Sequence, residues 1–125
     1  MSLSTGVDLV EIQRLQDAID RHGQRFLSRV FTAQELQEVG QNMASLAGRF
    51  AAKEAVAKAL GTGIGTVNWR EIEILRGPAR QPVLYLHGEA LRLADELCLK
   101  DWSLSLSHTA SHAIAMVVAS GNADE

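Results

Sequence analysis

The sequence predicts an α+β fold, a single small domain in which an antiparallel sheet packs on one long central helix. Three observations point there. Helical and strand-like patterns mix along 125 residues without strict βαβ alternation. Two pairs of strand-like runs are each joined by a short turn, as in hairpins. One alanine-rich stretch, 46–60, runs without proline and carries alanine at 47, 51, 52, 55, 57 and 59, the residue that loses no side-chain entropy in a helix. No repeat, low-complexity tract or linker divides the chain, so 1–125 reads as one domain, with 121–125 as a frayed acidic tail.

In chain order, 5–10 reads as a short strand with Asp8 inside it. A carboxylate in an apolar strand is disfavoured, so Asp8 is an edge residue, a cap for the next helix, or a ligand for a metal or phosphate site. Over 11–22, Ile12, Leu15, Ala18 and Ile19 recur at helical spacing, and Gly23 ends the pattern. The run 21–30 holds Arg21, Arg25 and Arg29, Phe26 and no acid, with Arg14 upstream; it is a solvated face or a docking surface for an acidic partner. Thr32 and Glu35 have capping-box spacing, which gives Glu35 a structural task at a short helix ending near Gly40. Residues 41–45 form a polar link into the central helix. Gly61, Gly63 and Gly65 follow that helix; Gly61 suits a left-handed cap, and the bare backbone beyond it invites close approach. Alternation of Ile72 and Ile74 with acids predicts a strand over 69–75, a turn at 77–82 and a returning strand over 83–86. An apolar helix over 88–100 would bury the Cys98 thiol, and strands 102–107 and 113–119 flank a turn at 108–112.

The central helix places its charges awkwardly. Lys53, Glu54 and Lys58 sit on an element that looks mostly buried, where unpaired charge is expensive. Glu54 and Lys58, four apart, form either an ordinary surface ion pair or a carboxylate and ammonium held rigidly for a ligand.

Composition narrows the function. With a net charge of −3 and 5% aromatic residues the chain lacks the basic surface and stacking platforms of a nucleic-acid binder. One cysteine excludes an intrachain disulfide and fits a reducing compartment; no apolar run reaches membrane-spanning length and 1–5 is no signal peptide, so a cytoplasmic location is expected. His108 and His112 flank a hairpin turn, where four-residue spacing does not converge on one ion, which argues against zinc. His108 with Thr109 instead suits a phosphate, or is an ordinary surface turn. No Gly-x-Ser-x-Gly elbow is present, and Gly61-x-Gly63-x-Gly65 follows a helix, unlike a dinucleotide fingerprint.

Three blocks together resemble the holo-acyl carrier protein synthases of the 4′-phosphopantetheinyl transferase superfamily: Gly6-Val7-Asp8-Leu9-Val10-Glu11-Ile12-x-Arg14; Arg49-Phe50-Ala51-Ala52-Lys53-Glu54-Ala55-x-x-Lys58-Ala59-Leu60-Gly61-Thr62-Gly63; and Ser105-Leu106-Ser107-His108-Thr109. The resemblance implies the fold of that superfamily, and transfer of 4′-phosphopantetheine from coenzyme A to a serine of an apo-acyl carrier protein, in a homotrimer with active sites between subunits. It implies Asp8 and Glu54 as ligands of Mg2+, and Asp8, Glu54 and Lys58 as the catalytic set. Lys53, Lys58, Gly61, Gly63, Ile64, His108 and Thr109 would meet coenzyme A, with Lys58 at the diphosphate and His108 and Thr109 near the 3′-phosphate. Arg14, Arg21, Arg25, Phe26 and Arg29 would meet the acidic carrier. Attack of a serine oxygen on a diphosphate needs positioning and relief of charge, which two carboxylates around a hard cation and a lysine supply. Glu54, Glu35 and a metal-bound water all stand as acceptors of the serine proton.

Overall fold

The computed structural model describes residues 1–122. It contains β1 (Ser2–Glu11), α1 (Ile12–His22), α2 (Gln24–Val30), α3 (Ala33–Val39), α4 (Met43–Ala59), β2 (Ile72–Arg76), β3 (Pro82–Leu86), α5 (Gly88–Glu96), β4 (Asp101–His108) and β5 (His112–Gly121). The α+β expectation holds. A three-stranded antiparallel sheet, ordered β1-β5-β4, covers one side of α4, and the β2–β3 hairpin forms a second small sheet.

Small residues set how closely the sheet approaches the helix. Ala113, Ala115, Val117 and Ala119 of β5 are buried, as are Ala51, Ala52, Ala55 and Ala59 of α4. Gly6 of β1 lies so close to α4 that an added Cβ would overlap the Ala55 carbonyl oxygen and stand 2.8 Å from its carbonyl carbon. Ser4 Oγ donates to the Ala59 carbonyl at 2.5 Å. A second cluster around Phe31, with Leu15, Val30, Val39, Leu46 and Ala47, holds α1 to α3 against the other end of α4.

Four local expectations are corrected, and the basic run, for which the sequence predicts no element, acquires one. The basic run forms a helix, α2, because Gly23 at φ 57° turns the chain and Phe26, Leu27 and Val30 recur on its inner side. The central helix starts at Met43 because the Asn42 side chain accepts from Ser45 N at 3.0 Å. Residues Trp69–Glu71 form one 3-10 turn, capped by Asn68, before β2 begins. The last helix stops at Glu96: Cys98 adopts φ 59°, the Cys98 amide bonds Asp95 O and the Leu99 amide bonds Ala94 O, a Schellman ending that leaves Cys98 partly exposed and outside any helix. Gly121, assigned to the tail, is the buried last residue of β5; 123–125 lie outside the described residues. Among the described residues no helix is long and apolar enough to cross a membrane.

Candidate active site

The close approach of Gly6 to Ala55 determines what happens two residues further along β1. Alternate strand residues share a face, so Asp8 follows Gly6 toward α4. There Lys58 Nζ donates to Asp8 Oδ1 at 3.0 Å and to the Val7 carbonyl at 2.9 Å. Glu54 stands one helical turn before Lys58 on the same side. The i,i+4 pair that spacing allowed between Glu54 and Lys58 does not form, because Lys58 reaches across to β1 instead. Glu54 has no ion-pair partner within salt-bridge distance among the described residues. Burial, then the nearby Asp8 charge, push its carboxyl above the usual carboxylate range, and Lys58 only partly opposes them. Two carboxylates stand near one ammonium that pairs with only one of them, so the cluster is short of positive charge.

The glycine loop starts directly after Lys58. Gly61, at φ 81°, ends the helix in a Schellman arrangement: its amide bonds Lys58 O, and the Thr62 amide bonds Ala57 O. The Gly63 amide also bonds Ala57 O at 3.2 Å, and Gly65 N bonds Val67 O at 3.0 Å. Gly61, Gly63 and Ile64 thus lie on a backbone folded back over the end of α4, with Gly61 and Gly63 presenting no side chain beside Lys58.

Lys53 is corrected. It is completely buried, paired with Glu35 Oε1 at 2.7 Å, and donates to the carbonyls of Trp69 at 3.1 Å and Ile72 at 2.5 Å. An ammonium has three N–H groups, and all three are used inside the core, so none is left for a phosphate. Burial pulls its pKa below the ordinary lysine value, against the opposing charge and hydrogen bond of Glu35. Glu35 is withdrawn as acceptor of the serine proton for the same reason. It is wholly buried, closes the expected capping box with Thr32, and takes the Ile74 amide at 2.8 Å.

His108 ends β4 on a different side of α4. It borders a cavity of about 290 Å³ shared with Arg49, Arg76, Arg80, Asn42 and Ser45, and none of Asp8, Glu54 or Lys58 lines it. Five residues separate Arg49 from Glu54, so they point about 140° apart around the helix. Thr109 Oγ1 accepts from the Ser111 and His112 amides at 3.3 and 3.1 Å, which makes it a turn former. Arg49, Arg76 and Arg80 were not singled out in the sequence. Only Arg49 stood inside a motif, and the other two are brought in by the β2–β3 hairpin.

The basic zone is continuous with the carboxylate cluster. Asp8, Arg14, Leu15, Ala18, Phe26 and Phe50 line one groove. Arg29 borders a second groove with Ile64, Gly65 and Arg70. Arg21 and Arg25 are exposed. Phe26 stacks on Phe50 with ring centroids 6.4 Å apart, and Phe50 on Trp69 at 4.8 Å. Phe50 and Trp69 were missed as members of this surface, because helical spacing alone does not tell an inward aromatic from one at a groove.

The donor set suits magnesium. Among the described residues no group of three or more His, Cys, Asp or Glu side chains converges, which rules out an all-protein cage there. Two hard carboxylates, one destabilised by the other's charge, match an ion that keeps waters and takes its remaining oxygens from a phosphorylated ligand.

Residues 4–117 match the family model described as the 4′-phosphopantetheinyl transferase superfamily. A holo-[acyl-carrier-protein] synthase of Herpetosiphon aurantiacus is 48% identical over 95% of this chain and 99% of its own length. One from Dehalococcoides mccartyi is 50% identical over 94% and 98%. The crystal structure of the Helicobacter pylori holo-[acyl-carrier-protein] synthase in complex with coenzyme A superposes with a TM-score of 0.85 at 35% identity, covering 93% of this chain and 99% of that one.

Proposed function

The chain belongs to the 4′-phosphopantetheinyl transferase superfamily, among its holo-acyl carrier protein synthases, and we propose that it transfers 4′-phosphopantetheine from coenzyme A to a serine of an acyl carrier protein at Asp8, Glu54 and Lys58. The observation that carries this reading is the juncture of β1 and α4, where Gly6 lets Asp8 meet a helix bearing Glu54 and Lys58. In the reaction the serine oxygen forms a bond to the phosphorus that carries pantetheine. The bond from that phosphorus to the bridging oxygen breaks, adenosine 3′,5′-bisphosphate leaves, and the serine proton passes to a base. Asp8 and Glu54 are the proposed holders of Mg2+, which when bound would supply positive charge that relieves the charge of the diphosphate. Lys58 spends two N–H groups on β1 and keeps the third for a phosphate oxygen. With Glu35 withdrawn, Glu54 and a metal-bound water are the acceptors left for the serine proton. The exposed arginines at 14, 21, 25 and 29 and the half-buried Phe26 suit an acidic carrier, whose bound serine would lie beside Asp8.

Two features support a homotrimer with shared sites. The outer face of the three-stranded sheet exposes Leu3, Val7 and Leu9 of β1 beside Ile114 and Met116 of β5, a contiguous apolar patch of the kind that marks an interface. The arginine cavity at His108 faces away from the carboxylates of its own chain, and a neighbouring copy would set it beside them. In that arrangement His108, Arg49 and Arg76 receive the 3′-phosphate end of coenzyme A. The test is to incubate the protein with apo-carrier, coenzyme A and Mg2+ and weigh the carrier. A mass gain of one phosphopantetheine group is expected, lost in Asp8→Asn and Glu54→Gln and with chelator. Normal turnover by both variants would refute the site.

A further inference from the structure

We propose that Lys53 is a positioning residue for the glycine loop: from inside the core it fixes the loop's exit to α4 and so sets the groove that receives coenzyme A. The inference rests on the reading of coenzyme A as substrate. The segment 60–68 leaves α4 and returns to the 3-10 turn at Trp69. Its start is fastened by backbone, through the amides of Gly61, Thr62 and Gly63 on the carbonyls of Ala57 and Lys58. Its end is fastened by a side chain. Lys53 Nζ donates to the carbonyls of Trp69, the first residue of the turn that follows the loop, and of Ile72, the first residue of β2. Between these anchors Gly65 bonds Val67, a bond internal to the loop.

The anchor is stiff because its own surroundings are complete. Glu35 Oε1 meets Lys53 at 2.7 Å and the Thr32 amide at 2.9 Å, and Oε2 meets the Ile74 amide at 2.8 Å. One ion pair therefore joins α4, the start of α3, the 3-10 turn and β2. The Phe31 ring lies 5.6 Å from Nζ and closes the remaining side. No buried side-chain polar atom in this region lacks a partner. A buried ion pair is a poor source of stability compared with apolar packing, but it specifies one geometry. Here the geometry specified is the distance from α4 to the backbone that closes the loop, one residue away from Glu54.

The experiment uses the full chain. The wild-type enzyme is first shown to make holo-carrier; failure there sinks the functional reading, while the exchange measurement below still tests the anchor. Lys53→Met is then expected to raise KM for coenzyme A about tenfold, with KM for the carrier and kcat changed less than about twofold. Lys53→Gln, whose amide keeps two N–H donors, is expected to recover part of that loss. A purely structural role would lower Tm and the active fraction and leave KM for coenzyme A at its wild-type value, and that result overturns the proposal. Should neither variant fold, amide hydrogen exchange of the wild-type protein decides. Residues 69–72 are expected to be protected without coenzyme A, and 61–66 to become protected only on its addition. Exchange of 69–72 as fast as the loop in the free protein overturns the proposal.

Discussion

Adding one methyl group at Gly6 should disable the site without touching a charged residue. In Gly6→Ala the new Cβ overlaps the Ala55 carbonyl oxygen, stands 2.8 Å from its carbon and 3.2 Å from Ala59 N. These are backbone atoms of a helix whose sheet-facing residues are buried, so they cannot swing away as a side chain would. β1 must retreat by more than about 1 Å to restore ordinary contact, at an overpacking cost of about 1 to 3 kcal/mol. Asp8 travels with the strand. The 3.0 Å contact with Lys58 opens, and the carboxylate leaves the position it shares with Glu54. Misplacement of that size costs on the order of 100-fold in rate. Carrier mass spectrometry gives the rate, and thermal melting shows whether the fold persists. An alanine variant with wild-type kcat would refute the claim that this contact places the site, whatever its Tm.

Two further outcomes follow from charge and exposure. Glu54 holds its proton to higher pH folded than unfolded, so between those two pKa values the folded state binds more protons and stability falls as pH rises. In metal-free buffer Glu54→Gln should therefore melt above the wild type at neutral pH, match it below the ordinary carboxylate range, and gain nothing from Mg2+; a lower Tm at pH 7 would count against the repulsion described. On the outer sheet face Val7 and Met116 are cross-strand partners, 52% and 51% exposed. Val7→Glu with Met116→Glu sets like charges opposite each other and should yield inactive monomers by sedimentation, whereas an intact, active trimer would place the interface elsewhere.

The architecture was readable because its elements follow periodicity: alternation for the hairpin strands, alanine for α4, the Thr32–Glu35 box for α3. What was misread shares a physical cause. Gly61 and Cys98 end their helices by the same left-handed motif. Glycine announces that conformation because it carries no Cβ; cysteine hides it, so the apolar pattern over 88–100 outruns the helix, which ends at Glu96. Asp8, Glu54 and Lys58 were found through motifs, yet their pairing was not, since spacing along α4 says nothing of how near β1 comes. The direction of Lys53 is not legible from spacing because it depends on a buried acid eighteen residues earlier, in the preceding helix.

Consecutive residues on α4 show why that direction matters. Lys53 and Glu54 differ by about 100° around the helix, enough to send one into the core and the other toward β1. Lys53 finds three acceptors for three N–H groups, so its charge is compensated and immobile. Glu54 finds a like charge and desolvation. Ordinarily such a carboxylate relaxes by moving its element. Here the helix cannot move: on one side it is locked by the Lys53–Glu35 pair, and on the other Gly6, Ala115 and Ala55 leave no gap into which it could shift. The repulsion between Glu54 and Asp8 is therefore retained by the fold, and under the proposed function a bound cation would relieve it with little reorganisation. The buried charge on one side of the helix is what holds the half-buried Glu54 on the other beside Asp8.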